Sequence, residues 1–192
     1  MTTSLVSGPV RVMVCAVLVH DGEMCLNRRQ REAGLQHSLP GGLLEDGEEP
    51  ADALRRELTK KLGLALAMLP APPVLRFVQD QDTERPGERM PFRRRHLVYV
   101  AHLPDHLVAA VAQVEQDDPG RAPVVWLPVA DAAALHPYPD VGAVLVQAVR
   151  PDTARAGGPL AAPGDDRRVL PVALTCHTVF AGTDVAGRCG AG

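Results

Sequence analysis

The stretch GLLEDGEEPADALRRELTKKLGL, residues 42–64, decides the fold of this chain. Glycines bracket it, an acidic turn opens it, and an Arg-Glu pair stands in its second half. Pro50 suits the first position of a helix, and Gly63 suits the residue just past its end, where a left-handed conformation is needed. Apolar residues recur at helical spacing and predict one buried helix face. They are Ala51, Leu54, Leu58 and Leu62.

The same stretch resembles the Nudix box, whose pattern is G-x5-E-x7-R-E-U-x-E-E-x-G-U, with U a bulky aliphatic residue. Lys60 and Lys61 stand where the family has two consecutive glutamates. The resemblance implies an α/β fold, a Nudix-like α/β/α sandwich with a mixed β-sheet, in which the box helix lies on one side of the sheet and a second helix on the other. It also implies cleavage of a diphosphate attached to another group, with Mg²⁺ or Mn²⁺ held by helix carboxylates. The matching residues are Gly42, Glu48, Arg56, Glu57, Leu58, Gly63 and Leu64.

The resemblance assigns a role to each matching residue. Glu57 and Glu48 are the remaining candidates for metal binding and catalysis, and Arg56 pairs with Glu48 to steady the loop. Gly42, with Gly41 beside it, leaves the backbone room next to the phosphates. Some family members recruit a catalytic acid from outside the box, and here Glu115 is the first candidate for that role. Further candidates are Glu45 in the box loop, and Asp117 and Asp118 outside the box.

The two lysines change the chemistry expected of the helix. Positions 57, 60 and 61 are i, i+3 and i+4, so their side chains share one helix face. Three carboxylates there would suit Mg²⁺, whereas an ammonium cannot ligate the ion and repels it. Two unit charges about 4 Å apart interact by roughly 4 kcal/mol at an effective dielectric near 20. We therefore expect metal binding to be weakened or absent if Lys60 and Lys61 face the site. Without the resemblance, Glu57 and these lysines would be read as an ordinary solvated salt-bridge face.

Two functions remain open at this point. The first is a Nudix-type pyrophosphohydrolase that cleaves a nucleoside diphosphate linked to another group, with reduced or altered activity. The second is a nucleotide- or diphosphate-binding module without hydrolysis, such as a sensor or a pathway protein. In a third arrangement, Lys60, Lys61 and Arg56 bind the diphosphate without metal, and Glu57 or Glu48 acts as a general base.

Two groups of arginines outside the box are candidates for substrate contacts. Arg28, Arg29 and Arg31 precede the box, where family members often place such contacts. Arg94, between Arg93 and Arg95, leads into a later strand beside a charged loop. Each is equally consistent with an exposed residue at a strand or loop.

The rest of the chain predicts strands at 10–19, 23–28, 74–78, 96–103 and 124–127, and a final helix at 140–149. Polar loops are expected at 28–37 and 79–95, and a tight turn at 39–42. Residues 8–150 are expected to form the Nudix-like domain. Residues 151–192 are rich in Pro, Gly and Ala and are expected to be a flexible tail, although 169–180 could form one strand.

The composition and net charge limit the classes of binding partner expected for this chain. The chain has 192 residues and a formal net charge of -3, which indicates neither a general nucleic-acid binder nor a membrane binder. It has no apolar run that could cross a membrane and no secretory signal, so the cytoplasm is the default expectation. Cys15 and Cys25 lie in apolar stretches and are expected to be buried reduced thiols. The expected partner is a small nucleotide or diphosphate ligand, and a homodimer is expected because dimers are common in the family.

Overall fold

The computed structural model describes residues 10–31, 34–83, 92–118, 120–135, 137–150 and 173–178. Within these ranges the strands form one mixed sheet with the spatial order β3-β2-β1-β6-β5-β8, while β4 pairs with β1 and β7 pairs with β2. The β1–β6 and β5–β8 pairs are parallel and the other pairs are antiparallel. The strands are β1 (Arg11–His20), β2 (Glu23–Arg31), β3 (Gly34–Ser38), β4 (Gly41–Leu43), β5 (Val74–Thr83), β6 (Phe92–His102), β7 (Val124–Pro128) and β8 (Ala173–Thr178). The helices are α1 (Pro50–Leu62), α2 (Asp105–Val108), α3 (Val129–Ala134) and α4 (Gly142–Ala148), with a 3-10 turn at Leu66–Met68.

Strand β1 is buried on both faces, as its continuous apolar sequence predicts. Its side chains alternate between two hydrophobic clusters because successive strand residues point to opposite faces. Val14, Ala16 and Leu18 pack with the apolar face of α1. Cys15 and Val17 pack on the other face with residues of α3 and α4. Helices therefore cover both faces of the sheet, and the predicted α/β/α sandwich is confirmed.

Helix α1 begins at Pro50 and ends at Leu62, as the box sequence predicts. Gly63 follows with φ 65°, and its N–H donates to the carbonyl of Thr59 at 3.0 Å. The predicted buried stripe is correct except at its first position, because Ala51 is exposed and Ala53 is buried in its place. The helix thus fixes Arg56, Glu57 and the two lysines on a frame anchored to β1.

Three segments that we predicted to be loops or turns contain strands. Residues 28–37 are mostly the β2–β3 pair, and 39–42 overlap β4, which pairs with β1. Residues 79–83 and 92–95 extend β5 and β6, while 84–91 lie outside the described residues. Polar side chains caused these errors. Asp80 and Asp82 pair with Arg95 and Arg93 across the strands, so pairing replaces hydrophobic alternation there.

The end of the chain is described only in part. The final helix α4 spans Gly142–Ala148, inside the predicted 140–149. The predicted flexible tail, 151–192, lies outside the described residues except for β8 at Ala173–Thr178, which falls within the strand suggested at 169–180 and pairs with β5. Cys15 and Cys25 are free thiols, and burial raises the pKa of each to about 12. Among the described residues, none of the helices has the length and apolar character needed to span a bilayer.

Candidate functional site

The loop before α1 is held by Arg56. Its Nε and Nη2 donate to the two carboxylate oxygens of Glu48, each at 2.9 Å, and Nη2 also donates to the carbonyl of Leu43 at 3.0 Å. The same Glu48 carboxylate accepts the backbone N–H of Glu45 at 3.1 Å. The bond from Arg56 lowers the pKa of Glu48, and Glu48 in turn raises the pKa of Arg56. The expected Arg56–Glu48 pair is therefore present, and it leaves Glu48 engaged.

Gly42 and Glu57 fit together across the gap between β4 and α1. A Cβ placed on Gly42 would collide with the Glu57 carboxylate, so only glycine leaves space for this side chain. Glu57 is buried, with its side chain 7% exposed, and it also contacts the Arg56 guanidinium. The neighbouring Gly41 lies against β1, where a Cβ would collide with the carbonyl of Val14. Gly42 thus brings β4 close to the Glu57 carboxylate, and Gly41 brings it close to the backbone of β1.

Lys61 points into a group of carboxylates. Its Nζ lies 2.6 Å from Glu115 Oε1, 3.7 Å from Asp117 Oδ1 and 4.0 Å from Glu57 Oε2. The lysine side chain is only 17% exposed, and the Glu115 side chain is fully buried. The helix residue and the acid from outside the box, 54 positions apart in sequence, therefore meet directly.

Lys60 occupies a more peripheral position. Its side chain is 55% exposed, and its Nζ lies 2.9 Å from Asp117 Oδ2. The bond with Asp117 raises the pKa of Lys60. Burial acts to raise the pKa of Asp117, but the bond from Lys60 and the charge of Lys61 outweigh it and leave that pKa below its usual value. The two lysines thus differ: one is inside the acidic group and the other is at its edge.

Arg29, rather than Arg28, joins the site from β2. The guanidinium of Arg29 pairs with Glu115, donates from Nε to Asp118 Oδ2 at 3.0 Å and donates from Nη1 to Ser38 Oγ at 3.1 Å. Arg28 is exposed and sits opposite His37 in the β2–β3 pair. Consecutive strand residues face opposite sides, so both cannot point at the acids. Arg29 is one of the three arginines considered before the box, and alternation along β2 is the signal that separates it from Arg28.

These contacts form one continuous ionic network. Glu57 joins Arg56 to Lys61, and Glu115 joins Lys61 to Arg29. Six carboxylates meet four cations in it, so the acids are largely balanced by the protein's own positive charges. The acids are Glu45, Glu48, Glu57, Glu115, Asp117 and Asp118, and the cations are Arg29, Arg56, Lys60 and Lys61.

The donor set does not fit a divalent cation. Mg²⁺ and Mn²⁺ take several hard oxygen ligands, usually carboxylates that are not already neutralised. Here Glu48 is bound by Arg56, and an ammonium stands between Glu57 and Glu115. Across the described ranges, no group of three or more His, Cys, Asp or Glu side chains is arranged to hold a metal ion.

An open cavity of about 500 Å³ lies beside the network. Glu115 and Asp118 border it, so the ionic network forms part of its wall. The other lining residues are Ala112, Val114, Gln116 and Arg121.

Arg94 lies apart from the ionic network, in a second polar group. Its Nη1 donates to the Tyr138 hydroxyl at 2.8 Å, and His96 Nε2 lies 3.3 Å from the same oxygen. Gln81 is opposite Arg94 in the β5–β6 register and is 1% exposed, and neither end of its amide has a hydrogen-bond partner among the described residues. The backbone of Tyr138 forms an isolated parallel β-bridge with Ser38, whose hydroxyl accepts a hydrogen bond from Arg29. Ser38 therefore connects the two polar groups.

Most of this second group was not predicted from sequence. Gln81, His96 and Tyr138 belong to no spaced motif, and Gln81 lies in the segment 79–95 for which a loop is predicted. The available signal was the alternate spacing of Phe77, Gln79 and Gln81 along β5. This spacing places these three side chains on one face of the strand.

Comparisons with known proteins bear on the family and the fold of the chain. The family model described as NUDIX domain matches residues 9–148. A search of curated proteins found no match. Among solved structures, the chain is similar to a mutator MutT protein from Bacillus halodurans, with TM-score 0.54 and 13% identity over 71% of this chain and 80% of that chain. It is similar to a MutT protein from Methanosarcina mazei, with TM-score 0.54 and 14% identity over 74% and 94%. It also resembles a C. elegans Ap4A hydrolase, with TM-score 0.51 and 17% identity over 72% and 94%. At these identities the solved structures support the fold alone.

Proposed function

The chain belongs to the Nudix family, and on that premise we propose that it is a Nudix-type pyrophosphohydrolase of reduced activity, acting on a nucleoside diphosphate linked to another group. One observation carries the proposal. The frame that the family uses around the diphosphate is built here from the matching residues: Gly42 makes room for Glu57, and Arg56 ties Glu48 to the helix.

The protein's own cations would meet the diphosphate. Lys60 is half exposed, so its ammonium can exchange Asp117 for a phosphate oxygen without loss of burial. Lysine is a good point-charge partner for phosphate. Glu57 would then take the proton of the attacking water as a general base. We expect low rates, because single ammonium charges offset less of the developing phosphate charge than divalent ions do.

Arg94 lies in the second polar group, on the sheet face opposite the ionic network. We keep Arg94 as a proposed substrate contact, but do not assign one ligand to both faces of the sheet. The buried Gln81 amide has no hydrogen-bond partner among the described residues, so it is the group beside Arg94 that a polar ligand would satisfy. Arg28, Mg²⁺ dependence, a homodimer and a cytoplasmic location remain predictions from sequence.

A product assay tests the proposal. Purified wild-type protein is incubated with nucleoside diphosphate sugars, dinucleoside polyphosphates and nucleoside triphosphates in Mg²⁺, Mn²⁺ or EDTA, and products are separated by chromatography. We expect slow cleavage of at least one compound. The Lys60→Glu/Lys61→Glu variant should cleave the same compound at least about 100-fold faster in Mg²⁺, since metal charge stabilisation contributes several kcal/mol.

The controls separate folding from chemistry. Circular dichroism in Mg²⁺ confirms that the double variant is folded, and Glu57→Gln in that background should abolish the gain. If neither the wild type nor the folded double variant binds or cleaves any compound, the proposed function is wrong.

A second function, binding without hydrolysis, is favoured by the ion pairs of two carboxylates. Glu57 and Glu115 are both engaged by cations, so neither carboxylate is free to activate water in the ligand-free state. In that case a panel ligand would raise the unfolding temperature of the wild type without being cleaved. Cleavage of the ligand that binds most tightly would exclude this alternative.

A further inference from the structure

We propose that the Lys61 ammonium is a built-in cation that stands between Glu57 and Glu115 in place of a divalent ion, so that the native chain binds no divalent ion at this position. The inference concerns the same site as the proposed function, and it names the cation of that site. It depends on no substrate, because it is a statement about the ligand-free protein.

The position of Nζ carries the inference. The ammonium has three N–H donors and lies within 2.6 to 4.0 Å of an oxygen from each of Glu115, Asp117 and Glu57. These acids come from α1 and from the segment before β7, and Lys61 is a contact common to all three. A cation that gathers carboxylates from two segments does the electrostatic work of a bound metal ion, without leaving ligand positions open for one.

Burial makes the lysine necessary. The Glu115 side chain is 0% exposed and the Glu57 side chain is 7% exposed, so the charges of both carboxylates are poorly hydrated. Buried carboxylates need a paired charge, and removing one partner of a buried pair is strongly destabilising. Without Lys61, the three acids would face one another with only Arg29, Arg56 and Lys60 nearby. Hard oxygens grouped in this way are the ligands that Mg²⁺ and Mn²⁺ prefer.

The inference therefore predicts that a metal ion can replace the lysine. Lys61→Ala removes the ammonium and opens the volume between the acids. Lys60→Ala is the matched control, because Lys60 is the adjacent residue on the same helix but is 55% exposed and contacts only Asp117 among the site acids.

The experiment uses Mn²⁺ alone. Binding is followed by electron paramagnetic resonance, which reports free Mn²⁺, and thermal unfolding is recorded in EDTA and in Mn²⁺. The wild type and Lys60→Ala should bind no Mn²⁺ at this site up to about 1 mM and should unfold at the same temperature in both buffers. Lys61→Ala should unfold at lower temperature in EDTA, should bind Mn²⁺ at least about 10-fold more tightly than the wild type, and should regain about 5 °C in Mn²⁺.

Binding is assigned to this site by its loss on Glu115→Gln in the same background. Wild-type Mn²⁺ binding below about 1 mM that Glu115→Gln removes would overturn the proposal, as would folded Lys61→Ala that binds none. If Lys61→Ala does not fold in EDTA, Lys61→Gln and the wild-type titration decide the matter. Failure of the substrate panel leaves this result untouched, and wild-type Mn²⁺ binding would leave the hydrolase proposal standing.

Discussion

At the scale of single residues, the contact between Gly42 and Glu57 sets how closely β4 approaches α1. Gly42→Ala would place a methyl group on the Glu57 carboxylate, and because the glycine is paired with Val14 in the sheet, the carboxylate must move. Overpacking of this kind costs about 1–3 kcal/mol. We expect a lower free energy of unfolding, measured in urea. Ligand binding should also weaken, because a displaced Glu57 would disturb its contact with Arg56.

A double-mutant cycle separates this collision from a general effect of the methyl group. Glu57→Ala removes the atoms that the new methyl would meet, so Gly42→Ala should cost much less in the Glu57→Ala background. Equal costs in the two backgrounds would show that the glycine is required for another reason.

The residues of the site were predictable to the extent that they act locally. The helical spacing of Glu57, Lys60 and Lys61 places all three on one face, and Arg56 and Glu48 are close in sequence. What spacing could not give is which lysine turns inward. That depends on Glu115, 54 positions away, whose buried carboxylate attracts Lys61 while Lys60 remains at the surface.

At the scale of elements, the end of α1 depends on Gly63. Its φ of 65° is one that residues with a Cβ rarely adopt, while the space around it is open enough for a methyl, with the nearest atom of Gln116 at 3.5 Å. Gly63→Ala should therefore cost about 1 kcal/mol through the backbone alone, and should lower the unfolding temperature by roughly 4 °C.

The matched variant is Gly63→Asn, since asparagine tolerates the left-handed conformation better than alanine. It should retain more stability than Gly63→Ala in the same calorimetric scan. If the two variants lose the same amount, backbone conformation does not explain the glycine.

The elements themselves divide by the kind of signal they carry. Helix α1 and strand β1 have apolar patterns set by burial, and both were predicted closely. The ends of β5 and β6 carry Asp80, Asp82, Arg93 and Arg95, whose stabilisation comes from pairing across the strands. The sequence of one strand does not show which residues of another strand it pairs with, so these polar segments resemble loops.

At the scale of the whole molecule, the sheet separates two unlike environments. The α1 face holds the ionic network, and the opposite face carries the second polar group with α3 and α4.

Asp80 illustrates how the stability of the fold responds to acid, because its bond with Arg95 lowers its pKa. A carboxyl with a lowered pKa stabilises the fold above its unfolded value of 3.8, and this stabilisation is lost as the pH falls through the folded pKa.

His96 should add a second acid response at higher pH. Burial, together with the nearby Arg94 charge, lowers its pKa from 6.5 to about 4. The unfolded chain therefore binds a proton at this residue between these values while the folded chain does not, so stability falls as the pH drops from 6.5 toward 4. The loss should approach about 3 kcal/mol, since each pKa unit corresponds to roughly 1.4 kcal/mol. Urea unfolding at pH 7, 6, 5 and 4.5 measures this loss of stability.

His96→Gln should flatten this part of the stability profile, and His106→Gln, at an exposed position, should leave it unchanged. A profile that keeps its full slope in His96→Gln would show that another group is responsible.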